Sequence, residues 1–272
     1  EFSQIMKAYG QNAVYYAHAG AGELHLRPIL DLKKKEDVVL FRKITTDVAK
    51  LVKKYNGSMS GEHGDGRVRA EFVEMMVGAK NYALLKQVKA TFDPQNILNP
   101  GKIIDAPAMD TSLRYQPDRI EPEIKTLMNF DENQGILRLA EQCNGSGDCR
   151  KSADSGGTMC PSYRATKDEK DTTRARANTL REFLTNSDKE NKFSHQEITE
   201  AYDLCLSCKG CKSECPSSVD VAALKAEFQY QYQKEYGFSN RSKAFANNGK
   251  MNKMASKIPG LANFMFSNSI AA

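Results

Sequence analysis

The first 142 residues contain no cysteine, and all seven cysteines of the chain fall between positions 143 and 215. A secreted disulfide scaffold is short and evenly paired, so an odd, clustered set excludes one and points to metal-binding thiols in a reducing compartment, the cytoplasm. Long apolar runs are missing as well. None approaches the roughly 20 residues that a membrane-spanning helix needs, so any membrane association would be peripheral, on the cytoplasmic face. The N-terminus shows no signal-peptide pattern, and the chain opens on Glu1 rather than Met; an internal fragment of a longer protein is expected. Charge of one sign is scarce: the net charge is +5, with bases and acids interleaved, which excludes a nucleic-acid surface. There is no low-complexity tract and no repeat beyond two cysteine groups. What is present is ordinary globular material, 40% hydrophobic and 27% charged, in 272 residues that suffice for two modest domains.

Residues 1–104 read as mixed α and β. Strands are expected over 12–18 and 23–27, joined by the Gly20-Ala21-Gly22 turn. Val38, Phe41, Ile44, Val48 and Leu51 recur at helical spacing, which predicts a helix over 35–55 that Asn56-Gly57 stops. A second helix is expected over 79–92, ended by Asp93-Pro94. Residues 105–130 carry Pro107, Pro117 and Pro122 with little apolar periodicity and read as a linker. Residues 131–272 read as all helical, with helices near 133–142, 171–185, 195–206 and 219–236 and short helices in the tail.

The second cysteine group is Cys205-Leu-Ser-Cys208-Lys-Gly-Cys211-Lys-Ser-Glu-Cys215-Pro216. Three thiolates at this spacing wrap one iron–sulfur cluster, and the fourth, before proline, reaches a different cluster. Thiolates are soft ligands that suit such clusters. Gly210 would let the sulfurs approach closely, and Pro216 would start the next helix. The alternative is a structural zinc site, but zinc ligands come in pairs separated by long gaps. In the first group, Cys143 and Cys149 match the first and third ligand positions and Cys160-Pro161 the displaced fourth, while Ser146 stands at the second. By the swapped-ligand rule, Cys205, Cys208, Cys211 and Cys160 hold one [4Fe–4S] cluster. Cys143, Cys149 and Cys215 remain for a second site, holding a [3Fe–4S] cluster, a [4Fe–4S] cluster with a non-cysteine ligand, or nothing.

Three of the four histidines sit in Gly-rich contexts: His18, His25 and His63. The turn at 20–22 breaks strand register, so His18 and His25 can converge while Leu24 and Leu26 point away. With Glu62 from the loop Ser60-Gly-Glu-His-Gly-Asp-Gly-Arg67, they would make a divalent-metal site with an open position. Such an ion acts as a Lewis acid on a hydroxyl or carboxylate oxygen, and His63 is placed to be a general base. Taken alone, His18 or His25 would more often be a hydrogen-bonded strand residue.

The segments His18-Ala-Gly-Ala-Gly-Glu-Leu-His25, Ser60–Arg67 and Phe92-Asp-Pro-Gln-Asn-Ile-Leu-Asn-Pro-Gly-Lys102 together resemble the C-terminal part of FAD-linked oxidases of the vanillyl-alcohol-oxidase type. Within that superfamily they resemble the D-lactate, glycolate and D-2-hydroxyglutarate dehydrogenases. Residues 140–235 resemble the α-helical ferredoxin domain of iron–sulfur oxidoreductases. The resemblance implies an α+β substrate-domain remnant, with an antiparallel sheet and helices, followed by an all-α ferredoxin-like domain over 131–272. It implies His18, His25 and Glu62 as ligands of a divalent metal, often zinc, His63 as catalytic base, and Glu62, His63 and Asn99 beside the flavin. Relatives carry Asp where this chain has Ala21 and Asn where it has Arg27. Arg27, with Arg67 and Arg69, would pair either with a substrate carboxylate or with protein acids such as Glu62, Asp65 or Glu71.

The function expected from these readings is oxidation of a D-2-hydroxyacid to the 2-oxoacid. Electrons would pass from FAD, held mostly by a domain outside this sequence, through the clusters to a quinone or electron-transfer protein. Two other classes remain open at this point: an electron-transfer subunit that docks a separate flavoprotein, and a zinc-stabilised interaction module.

Overall fold

A computed structural model describes residues 1–267, and the chain divides into two compact units, Glu1–Ile120 and Glu121–Ala272. The first unit is mostly helical around one small sheet. It contains α1 (Phe2–Ala8), β1 (Ala13–His18), β2 (Glu23–Pro28), α2 (Lys35–Lys54), α3 (Gly66–Arg69), α4 (Val73–Val77) and α5 (Ala79–Phe92). The strands pair antiparallel with Val14 opposite Arg27, Tyr16 opposite His25 and His18 opposite Glu23. Strand side chains alternate, so Tyr16, His18, Glu23, His25 and Arg27 share one face with Val14, and Tyr15, Ala17, Leu24 and Leu26 share the other. Gly22 closes the turn in the left-handed region at φ 68°, which glycine adopts without steric cost.

Helix α2 follows its apolar spacing, with Glu36 and Asp37 in the first turn and Lys53 and Lys54 in the last, each matching the helix dipole. It ends where Asn56 turns left-handed and the Gly57 N–H donates to Val52 O at 2.9 Å. Helices α3 and α4 were not apparent in the sequence; they are too short to show a period.

The segment 105–130, expected as a linker, is divided between the units. Arg42 on α2 bonds both oxygens of Glu71 at 2.8 and 3.1 Å and both of Asp110 at 2.6 Å. Met109, next to Asp110, is buried in the small core with Ala49 and Phe72. In the second unit, Glu227 accepts from the backbone N–H groups of Leu127 and Met128, and Phe130 is buried. Parts of the segment that carries Pro107, Pro117 and Pro122 thus find side-chain partners within their own unit.

The second unit contains only helices among its described residues: α6 (Ile136–Glu141), α7 (Pro161–Thr166), α8 (Thr173–Asn186), α9 (Gln196–Asp203), α10 (Gly210–Glu214), α11 (Val221–Tyr236), α12 (Asn240–Ala246), α13 (Asn248–Ala255) and α14 (Pro259–Ser267). Its core joins Ile136, Leu139, Leu180, Leu184, Ile198 and Leu224 to the buried Cys143, Cys149, Cys160 and Cys211. Thr172 and Asp220 cap α8 and α11 by accepting from Ala175 N and Ala223 N.

Two local expectations need correction. The helix expected over 195–206 stops at Asp203, because the Lys225 ammonium captures the carbonyls of Tyr202 and Cys205. Pro216 does not start a helix; it lies in a turn, and α11 begins at Val221 after the Asp220 cap. No described helix is long and apolar enough to cross a membrane.

Leu180 is fully buried in this core. Leu180→Ala is expected to cost about 2–5 kcal/mol through lost burial and a residual cavity. Denaturant unfolding checks this, with Leu85→Ala on the partly exposed face of α5 as a near-neutral control.

Candidate functional site

The hairpin register assembles the first site. His18 Nδ1 lies 2.9 Å from Glu23 Oε1, directly across the ladder, and 3.3 Å from Glu62 Oε2. His25 Nε2 lies 3.2 Å from Glu23 Oε1 and 3.7 Å from Glu62 Oε1. One ligand atom from each of His18, Glu23, His25 and Glu62 lies within 4.8 Å of the other three, a spacing a single divalent ion can bridge. Glu23 was not singled out in the sequence. A four-residue turn between 18 and 23 pairs those two positions, and that arithmetic was the signal for it.

Gly61 makes the approach of Glu62 possible: a Cβ there would stand 2.0 Å from Glu23 Oε2. Glu23 Oε1 and His25 Nε2 are buried yet lack a hydrogen-bond partner among the described residues. Orphaned nitrogen and oxygen atoms facing one another suit a cation between them. Burial would raise the Glu62 carboxyl, but His18, a hydrogen bond with Glu23, and His63 outweigh it and hold Glu62 below the ordinary carboxylate range.

His63 stands at the rim of the group. Its Nε2 is 3.0 Å from Glu62 Oε1, its ring centroid is 6.3 Å from that of His25, and its side chain is 70% exposed. Arg27 lies over the Tyr16 ring at 5.1 Å, and Tyr16 stacks on His25 at 4.6 Å. His25, Arg27, His63 and Arg69 line one pocket together with apolar side chains of α2. Arg69 is committed to the loop, donating to the carbonyls of Met59, Gly64 and Asp65, and Glu71 is taken by Arg42. Arg67 is exposed. Asn99 lies exposed on a left-handed turn at φ 50°, held from behind by Asp93, which accepts from the N–H groups of Ile97 and Leu98 at 2.9 Å.

The second site is built by a clasp. Glu214 at the end of α10 accepts from Thr158 N at 2.7 Å, Thr158 Oγ1 at 2.8 Å and Met159 N at 3.0 Å. These bonds hold its carboxyl down to about 2. Gly210 permits the close fit, since a Cβ would meet Thr158 Oγ1 at 2.9 Å; its smallness serves the 158–159 backbone rather than the sulfurs. The clasp delivers Cys160, which turns left-handed at φ 54° before Pro161 opens α7. Cys160, Cys205, Cys208 and Cys211 then line one pocket.

Helix N-termini address these sulfurs. Thr173 N, at the start of α8, donates to Cys160 Sγ at 3.0 Å. The backbone N–H groups of Arg174 in the same turn and of Val221 and Ala222 at the start of α11 favour the ionised forms of Cys149 and Cys211. Burial raises the thiols of Cys149 and Cys160 and pushes Cys211 up to about 11, with these N–H groups opposing it. A buried thiolate here therefore needs metal charge beside it. A cluster spreads its thiolates over several irons, and a pocket lined on different sides by four cysteines fits that.

Cys143 and Cys149 are buried and interact electrostatically, and Asn178 Nδ2 lies 3.9 Å from Cys143 Sγ. Cys215 caps the end of α10 and is half-buried. Ser146 is exposed, its N–H donating to Asn144 Oδ1 at 3.0 Å.

Residues 1–103 match the family model of FAD linked oxidases, C-terminal domain, and residues 142–220 match that of the 4Fe-4S dicluster domain. The chain joins these two modules. It is 34% identical to the D-2-hydroxyglutarate dehydrogenase of Escherichia coli over 278 residues, 87% of this chain and 26% of that protein. It is 34% identical over 102 residues to the D-lactate dehydrogenase of Archaeoglobus fulgidus, 38% of this chain and 22% of that protein. Over 117 residues it is 32% identical to the glycolate oxidase subunit GlcD of Bacillus subtilis, 43% of this chain and 24% of that protein. The chain spans about a quarter of the length of the curated relatives it matches. No solved structure matches it.

Replacing Glu23 by Ala should weaken divalent-ion binding at least about ten-fold, since even second-shell partners of metal ligands contribute that much. Calorimetric titration with Zn²⁺ or Mn²⁺ checks this, and Leu24→Ala on the opposite face should leave affinity unchanged.

Proposed function

We propose that this chain is part of an FAD- and iron–sulfur-dependent dehydrogenase that oxidises a D-2-hydroxyacid, such as 2-hydroxyglutarate, lactate or glycolate, to the 2-oxoacid. The observation that carries the reading is the pocket lined by His25, Arg27 and His63 beside the ligand group. An anion-binding guanidinium, a base and metal ligands meet at one opening, as an α-hydroxy-carboxylate requires. The relatives named D-2-hydroxyglutarate, D-lactate and glycolate enzymes support it.

His18, His25 and Glu62, with Glu23, would hold a divalent ion, zinc being one fit, which would supply Lewis-acid polarisation for an α-hydroxy-carboxylate. Arg27 pairs with the substrate carboxylate, its plane fixed by Tyr16. His63 takes the hydroxyl proton; its exposure lets it return that proton to water. Asn99 lies on the segment that would face the flavin. Cys160, Cys205, Cys208 and Cys211 would hold a [4Fe–4S] cluster, and Cys143, Cys149 and Cys215 a second, of three or four irons. Bound FAD accepts hydride, and bound clusters carry single electrons to a quinone or electron-transfer protein. The thiol-rich pocket fits a reducing cytoplasm, with peripheral membrane contact where the acceptor is a quinone.

Anaerobic iron and acid-labile sulfide analysis of the chain should give about four irons if the complete site alone is filled and seven or eight if both are. Stoichiometric zinc without sulfide would overturn the redox reading. In the full-length enzyme, His63→Ala should lose about 10²–10⁴-fold in kcat while retaining metal. Unchanged turnover in that variant would remove His63 from the proton step.

A further inference from the structure

Lys225 lies on α11 and is only 9% exposed. Its ammonium donates to Tyr202 O at 2.8 Å and Cys205 O at 2.6 Å, with Asp203 O at 3.5 Å. Two of these carbonyls end α9, and a cation there caps the negative end of the helix dipole. A cap alone does not require burial, because an exposed lysine caps a helix without losing its water. Nor does it explain the reach to Cys205, the first residue of the cysteine loop.

The charge balance is also incomplete. The neighbouring buried cation, Arg176, faces Asp171 at 3.5 Å, both side chains almost wholly buried. Lys225 makes no ion pair with a carboxylate among the described residues. A buried ammonium without a counter-charge is disfavoured, because it has lost its water without gaining a partner of opposite sign. The charged groups that act on it are Cys205, Arg176 and Asp203. Asp203 is exposed and makes no ion pair with it; thiolates holding a cluster would supply negative charge beside the ammonium.

We infer that Lys225 is a positioning residue whose buried ammonium is the counter-charge of the cluster held by Cys160, Cys205, Cys208 and Cys211 and raises its reduction potential. This rests on the cluster reading of those cysteines. Reduction by one electron, with no proton taken up, leaves the thiolate-bound group one charge more negative. A fixed positive charge in a weakly polarisable interior stabilises that form more than the oxidised one. The carbonyl of Cys205 ties the charge to the ligand loop.

The test is a potentiometric EPR titration, with dithionite as reductant, of the chain reconstituted anaerobically with iron and sulfide. Lys225→Gln keeps a donor for the carbonyls without the charge, and Lys225→Arg keeps the charge. Expected is a lower midpoint potential in Lys225→Gln at unchanged iron content, with Lys225→Arg close to the parent. Iron lost from Lys225→Gln but retained by Lys225→Arg would support the same counter-charge. Equal midpoints at equal iron would overturn the inference and leave the cluster reading standing. Equal loss of iron from both variants would reduce Lys225 to a helix cap and overturn it as well. Absence of iron and sulfide from all three proteins would overturn the cluster reading and this inference with it.

Discussion

The Glu214 carboxylate holds together two segments 56 residues apart, and the cysteine pocket depends on it. Its bonds to the backbone of Thr158 and Met159 bring the residue before Cys160 to the end of α10, beside the loop that carries Cys205, Cys208 and Cys211. An ionised acceptor bonded to two N–H groups and a hydroxyl is among the stronger hydrogen-bond arrangements available near a surface. Two glycines allow it: at Gly157 a Cβ would lie 2.3 Å from Glu214 Oε2, and Gly210 leaves room for Thr158. Once Cys160 is set, the first turn of α8 meets its sulfur and that of Cys149, while α11 meets Cys211. The helices of the second unit thus present their positive ends to the groups that must carry negative charge.

In the first unit the equivalent constraint is the hairpin register. One antiparallel ladder with His18 opposite Glu23 and Tyr16 opposite His25 places nitrogen and oxygen ligands on one face. A slip by one residue would turn every one of them to the other face. The Gly61 backbone then carries Glu62 in from outside the sheet. The two donor sets on this chain differ in kind: imidazole and carboxylate in the first unit, thiolate in the second. That difference in donor type suits a hard or borderline divalent ion at one and iron–sulfur chemistry at the other.

Much of the local structure was legible from periodicity and turn chemistry. The strands at 13–18 and 23–28, the long helix ending before Asn56-Gly57, and the helix ending at Phe92 follow patterns that neighbouring residues impose on one another. The discrepancies share a cause. The helix at 196–203 ends early because a lysine more than twenty residues later takes its carbonyls, a contact no local window contains. The proline-bearing segment 105–130 looked free because its partners, Arg42 and Glu227, lie far away in sequence.

The sequence by itself determined which chemistries the chain can attempt. Cysteine spacing at 205–215 and two histidines around a glycine turn are local statements about ligand type and reach. Tertiary structure alone decided which atoms meet: that Glu23 faces the two histidines, that Cys160 joins the distant cysteine loop, and that Lys225 is buried against Cys205 with no ion-paired carboxylate among the described residues. The reason is physical. Ligand type is carried by a side chain, whereas ligand geometry and the local charge balance arise only when segments remote in sequence are packed and their water is removed.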